Sequence, residues 1–192
     1  MGKEGIPGAK EVLNHDRERI FNAIEKDMEA WKGTKVGGKD ILFSILDYKV
    51  LIVWIYRISH LLYRKGHFRL ARLVAAVNLV VFGIEIGVHV KIGGGFRVHH
   101  PVGIVLGAQM IGENFNVFAG AGCGGASPEN RNQPIIGNNV FLYAGAKVLG
   151  DITIGDNVVI GANAVVLQSV PANCMAVGVP ARVLPRTEKQ TV

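Results

Sequence analysis

The chain has 192 residues, 49% of them hydrophobic and 19% charged, with a formal net charge of +6. This composition excludes a disordered or fibrous chain and leaves room for one sizeable core plus an appendage. The two cysteines, Cys123 and Cys174, are too few for a disulfide framework, and their spacing fits no zinc site.

The opening MGKEGIPGAKEVLNHDRERIF has no apolar core of a signal peptide, so a cytoplasmic protein is expected. From about Glu11 to Phe82 the pattern is helical. Ile20, Ile24, Met28 and Trp31 recur at three- or four-residue steps and so share one face. GTKVGG at Gly33–Gly38 breaks this segment. A second apolar pattern runs through Leu42, Ile45, Leu46, Ile52, Ile55 and Tyr56 and ends near Arg64–Gly66, and a third helix is expected over Phe68–Val81.

Ile41–Ile58 is interrupted by Asp47, Lys49 and Arg57, and Leu73–Ile84 is too short to span a bilayer. The basic residues of Trp54–Leu73 read as the wet side of a packed helix. They lack the dense lysine cluster of lipid-recognising segments, so membrane contact is not expected. No window resembles a nucleic-acid motif, and no nucleic-acid partner is expected.

After Gly83 the period changes to six. The hexads begin at Ile86, Ile92, Val98, Ile104, Ile111, Val117, Cys123, Ile136, Leu142, Val148, Ile154, Ile160 and Val166. The register slips by one residue at Met110, and again at Gly124–Ile135, a stretch rich in turn formers. A six-residue repeat is a solenoid signature: each hexad supplies one short strand and one sharp corner, and three hexads close a triangular turn of about 18 residues. The first residue points inward, and Gly, Asn or Asp accepts left-handed dihedrals at the corner. A rigid prism tolerates insertions only where a loop can leave at a corner.

From about Tyr56 to Pro185 the chain resembles the serine acetyltransferases, a family of hexapeptide acyltransferases. The resemblance is carried by YRISHLLYRKG, by VHHPVGIVLG, by GCGGAS, and by the run from YAGAKVLG to GVPARVL. It implies a mainly β fold, a left-handed parallel β-helix (hexapeptide-repeat solenoid) preceded by a short α-helical N-terminal segment. Residues 1–83 would be the helical segment, 84–185 the β-helix acyltransferase domain and 186–192 a C-terminal tail. The implied donor is acetyl-CoA, with no metal. The implied assembly is a homotrimer with active sites between subunits.

A hydroxyl is a poor nucleophile at neutral pH, so a base must take its proton during attack on the thioester. By alignment with the family's DHxTG motif, His100 is that base, and Glu85 stands where the family has its partner carboxylate. Such a carboxylate fixes the tautomer and stabilises the imidazolium. His99 replaces the family's aspartate beside the acceptor. A metal reading of the His99–His100 pair needs a third ligand, and none is evident beyond His89. For the donor, the resemblance assigns Gly124 and Gly125 to close backbone approach and an oxyanion amide, Ala144 and Ala162 to small corners admitting the pantetheine arm, and Arg182 to a CoA phosphate.

The match breaks at the acceptor. The family's Arg-His pair in the extended loop becomes Asn132 and Gln133, with Arg131 one place upstream. Together with His99, these changes remove charge contacts to a zwitterion and leave amides suited to neutral hydroxyls. The expected acceptor is therefore a sugar or glycan intermediate of polysaccharide biosynthesis. Serine is the alternative acceptor, and a non-catalytic prism is the reading from a different class.

Overall fold

The hexads wind into a three-walled coil, in a computed structural model that describes residues 22–37, 46–127 and 132–186. The first wall stacks β1 (Ile84–Ile86), β4 (Ile104–Leu106), β7 (Gly122–Gly124), β10 (Lys147–Leu149) and β13 (Val165–Val166). The second holds β2 (Lys91–Ile92), β5 (Met110–Ile111), β8 (Ile135–Ile136) and β11 (Thr153–Ile154). The third holds β3 (Arg97–His99), β6 (Asn116–Phe118), β9 (Phe141–Leu142), β12 (Val159–Ile160) and β14 (Cys174–Val177). All these ladders are parallel, and β15 (Arg182–Pro185) closes the third wall antiparallel to β14.

Inward side chains from every strand of the three walls fill the axis. On the first wall Ile86, Leu106, Cys123, Val148 and Val166 follow one another in register, each 5% exposed or less. Here the structure corrects the hexad register. Ile104 is buried but pairs with Ile84, and Leu106 is the residue that stacks on Ile86. The one-residue slip is therefore two opposite departures. Eight residues separate Val98 from Leu106, two more than the repeat requires, and only five separate Leu106 from Ile111. The surplus leaves the prism at the corner between third and first walls, where His100 sits.

The corner between the second and third walls is built differently. Asn114, Asn139, Asn157 and Asn173 all adopt left-handed dihedrals there. Each side-chain amide donates to the carbonyl oxygen of the next, at 2.9, 3.0 and 2.9 Å. Asparagine tolerates this backbone region, and the ladder satisfies side chains that would otherwise compete with the strands.

Three helices precede the coil: α1, whose described part is residues 22–32, α2 (Tyr48–Arg64) and α3 (Phe68–Phe82). Asp47 caps α2 by accepting from the Lys49 amide at 2.9 Å. Gly83, left-handed at φ 66°, caps α3 and hands the chain to β1. The expected helix from Glu11, the apolar positions Ile20, Leu42 and Ile45, the loop residue Arg131 and the tail from Thr187 lie outside the described residues.

The helices are tied to the first coil by a buried polar clamp. Arg57 (5% exposed) donates through Nε and Nη2 to Asp27 (2% exposed) at 3.0 Å each. It also donates to the carbonyls of Ile92 and Gly93 at 2.6 Å. Asp27 accepts from the Phe96 amide at 2.8 Å, and the Tyr56 hydroxyl donates to the Val90 carbonyl while accepting from the Ile92 amide. Burial pushes the Asp27 carboxyl up and the Arg57 contact pulls it back down.

Removing one member of such a pair strands a buried charge, a loss of about 3–5 kcal/mol. Arg57→Ala should therefore lower the urea-unfolding free energy by about 3–5 kcal/mol, and a change below about 1 kcal/mol would contradict the clamp.

Candidate active site

His100 is exposed and holds a left-handed backbone at φ 54°. Histidine enters this region more readily than most residues, though rarely without a local reason. The reason here is the two-residue surplus, which turns the chain outward before Gly103 re-enters register by donating to the Gly83 carbonyl at 2.8 Å. His100 then lines a cleft with Tyr48, Val81, Phe82, Val102 and Ala119.

Glu85 lies mid-strand on the outer face of the first wall, between inward Ile84 and Ile86, and is exposed. It reaches no hydrogen bond or ion pair among the described residues, so no direct contact joins it to His100 in a single protomer. Glu85 and His89 instead line a cleft between the first wall and α3, whose other polar side chain is Arg72. Nothing in the sequence pattern marked Arg72, because which way a helical arginine leans depends on how the helix packs.

The remaining residues fall along two opposite corners. Ala144 and Ala162 are exposed at the same corner as His100, two and three coils further on, and Arg182 begins β15 in the closing cleft beyond them. Successive coils rise about 4.8 Å. Gly124 and Gly125, by contrast, lie where the first wall meets the second. Nothing in the protomer comes within 4 Å of a Cβ built on Gly124. Asn132 and Gln133 rejoin the coil at that same far corner. The Asn132 amide donates to Asp151 at 3.0 Å, the Gln133 side-chain oxygen accepts from His89 Nε2 at 2.9 Å, and the Gln133 main-chain oxygen accepts from Gln109 at 2.9 Å. A whole wall therefore separates His100 from the loop residues, on the order of 15 Å at strand rise.

His99 turns the other way. Its ring stacks on Phe118 at 4.3 Å with planes 10° apart, and Phe118 stacks on Tyr143 at 4.8 Å. Trp31 of α1 stands 5.0 Å off the His99 ring, and Nε2 bonds the Asn116 side-chain oxygen at 3.2 Å. Burial among these rings pushes its pKa below the ordinary value of 6.5, helped by the nearby charges of Arg97 and Lys49. His60, half-buried against the Val88 carbonyl, is shifted the same way. Among the described residues no group of three or more His, Cys, Asp or Glu is placed to hold a metal ion, and no helix is long and apolar enough to cross a membrane.

Residues 133–168 match a family described as bacterial transferase hexapeptide (six repeats). With the three-walled coil, that match defines a hexapeptide-repeat transferase. The serine acetyltransferase of Staphylococcus xylosus is 44% identical over 134 residues, which are 69% of this chain and 62% of that relative. The enzyme of Staphylococcus aureus strain COL is 42% identical over 90% of this chain and 79% of its own length. Among solved structures, Neisseria gonorrhoeae serine acetyltransferase gives a TM-score of 0.79 at 31% identity, covering 92% of this chain and 69% of that one. Soybean serine acetyltransferase complexed with serine gives 0.78 at 31% identity, covering 90% and 73%.

The chain belongs to the serine acetyltransferase family. Its coil is the left-handed parallel β-helix of that family, and its chemistry is O-acetyl transfer from an acyl-CoA.

A histidine whose folded pKa lies below its unfolded value costs nothing above about pH 6.5 and destabilises as pH falls, because the unfolded chain takes the proton first. The thermal midpoint should therefore drop between about pH 7 and pH 5. His99→Phe, which keeps the ring stack without a proton site, should shrink that drop. An unchanged drop in this variant would show that the buried ring is not its source.

Proposed function

We propose that the protein transfers the acetyl group of acetyl-CoA to the hydroxyl of serine. The observation that carries this is the corner itself: an exposed imidazole, thrust outward by surplus chain, stands at one end of the row formed by Ala144, Ala162 and Arg182. In this reading His100 removes the hydroxyl proton as the oxygen attacks the thioester carbonyl carbon. The tetrahedral oxyanion faces an amide N–H of Gly124 or Gly125, and its collapse expels the CoA thiolate, which takes the proton back from His100. Glu85 is the carboxylate that the family resemblance assigns to orient the imidazole, although the two line different clefts of one protomer. The backbone amides and His100 lie at opposite corners of one protomer, so a second copy supplies the missing corner, as in a homotrimer with sites between subunits.

The acceptor rests on the relatives. The proteins compared are serine acetyltransferases, at 42–44% identity for the staphylococcal pair, and they favour serine over the sugar expected above. A serine zwitterion needs a cation for its carboxylate. With Asn132 and Gln133 in the loop, Arg72 supplies it from the cleft it shares with Glu85 and His89.

A second reading, a neutral sugar hydroxyl, is favoured by one specific observation. His99, at the position of the family's aspartate, lies in an aromatic stack whose burial lowers its pKa, and it offers no carboxylate to an ammonium group.

Steady-state kinetics with acetyl-CoA and either serine or nucleotide-linked sugars separates the two. Serine turnover is expected, and Arg72→Ala should raise the KM for serine about 10- to 100-fold with little change in that for acetyl-CoA. Turnover of sugars with none of serine would overturn the acceptor while leaving the acetyl transfer intact.

A further inference from the structure

The helical hairpin α2–α3 has a surface that acetyl transfer does not use. Between Tyr48 and Phe82 the chain contains no aspartate or glutamate and six cations, Lys49, Arg57, Arg64, Lys65, Arg69 and Arg72. In most soluble helices acidic residues balance such a run. α3 buries Ala71 and Asn78, and Asn78 donates to the Ile52 carbonyl of α2 at 3.0 Å. Its opposite face is apolar as well: Leu70, Leu73, Val77 and Val80 recur at steps of three, four and three residues, and are 48%, 67%, 43% and 82% exposed. Phe68, at the head of the helix, is 54% exposed. The sequence pattern pointed to a packed helix with basic residues on its wet side. In α2 that fits Arg64 but not Arg57, which is buried in the clamp, and α3 keeps two apolar faces of which only one is covered.

We propose that this stripe of α3 seats the protein on an anionic lipid bilayer surface. The charge distribution selects this occupant. Lys65 and Arg69 are exposed around the head of the stripe, where they would meet lipid phosphates as the leucines and valines enter the acyl boundary. A second copy of the same face fits poorly, because it would bring like-charged Lys65 and Arg69 side chains together with no carboxylate on either hairpin to neutralise them. The helix is too short to span a bilayer, so it lies in the interface plane with its apolar side down. The proposal does not depend on which hydroxyl accepts the acetyl group.

The test is flotation of the full chain with vesicles of phosphatidylcholine alone or containing about 30% phosphatidylglycerol. Binding is expected only to the anionic vesicles and should weaken as salt is raised. The pair Leu73→Glu with Val80→Glu should weaken it at least about tenfold, and Lys65→Glu with Arg69→Glu should do the same. Circular dichroism and acetyl-CoA turnover, read in parallel, should stay at wild-type levels, which separates this proposal from the function proposed above. Equal binding to both vesicle types, or to neither, would overturn the proposal. So would a fall in oligomer size in Leu73→Glu with Val80→Glu without vesicles, because the stripe would then be a contact between protomers or with another segment of this chain.

Discussion

Each coil of the prism must return its backbone to register with the coil below, because the parallel ladders of all three walls are made between coils. Extra residues are tolerated only at corners, and the corner chosen decides where chemistry can occur. The two surplus residues between Val98 and Leu106 leave at the junction of the third and first walls and carry His100 into solvent. The longer excursion between Cys123 and Ile136 leaves at the far edge of the first wall and returns through Asn132 and Gln133. The same constraint that keeps the axis dry thus splits the polar residues between two edges of the protomer.

The end of such a coil is a liability, because its first strands have no coil beneath them. The Tyr56 and Arg57 side chains answer this by occupying main-chain groups of Val90, Ile92 and Gly93 from above. Asp27 neutralises the guanidinium and also takes the Phe96 amide, so one carboxylate joins α1, α2 and the first coil. This clamp makes the helical segment part of the catalytic body. It fixes α2 on the coil and, through the Asn78–Ile52 bond, α3 beside the wall that carries Glu85.

Much of the coil was legible in the sequence because the buried hexad starts are all aliphatic or cysteine, and a period of six follows directly. The pairing of Ile104 was not. Ile104 and Leu106 are both aliphatic and both face inward, so alternation fits either residue as the hexad start, and the hydrogen bond from Gly103 to Gly83 decides it. His100 could be found from its motif, but its isolation from Glu85 and the loop is a matter of corners, which a linear pattern does not carry. The Asp27–Arg57 pair joins residues 30 apart on different helices, and the tilted ring contact of Trp31 with His99 joins residues further apart still. Neither leaves a periodic trace. That Arg72 and Glu85 line one cleft likewise depends on how α3 packs.

The central claim is that the imidazole at the surplus corner takes the proton of the acceptor hydroxyl. Single-turnover acetyl transfer by His100→Ala, with CoA binding measured on the same preparation, tests it most directly. A fall of about 10²- to 10⁴-fold in transfer rate with CoA affinity unchanged is expected. Transfer within about threefold of the wild-type rate would contradict it, because a proton acceptor worth so little is not the base.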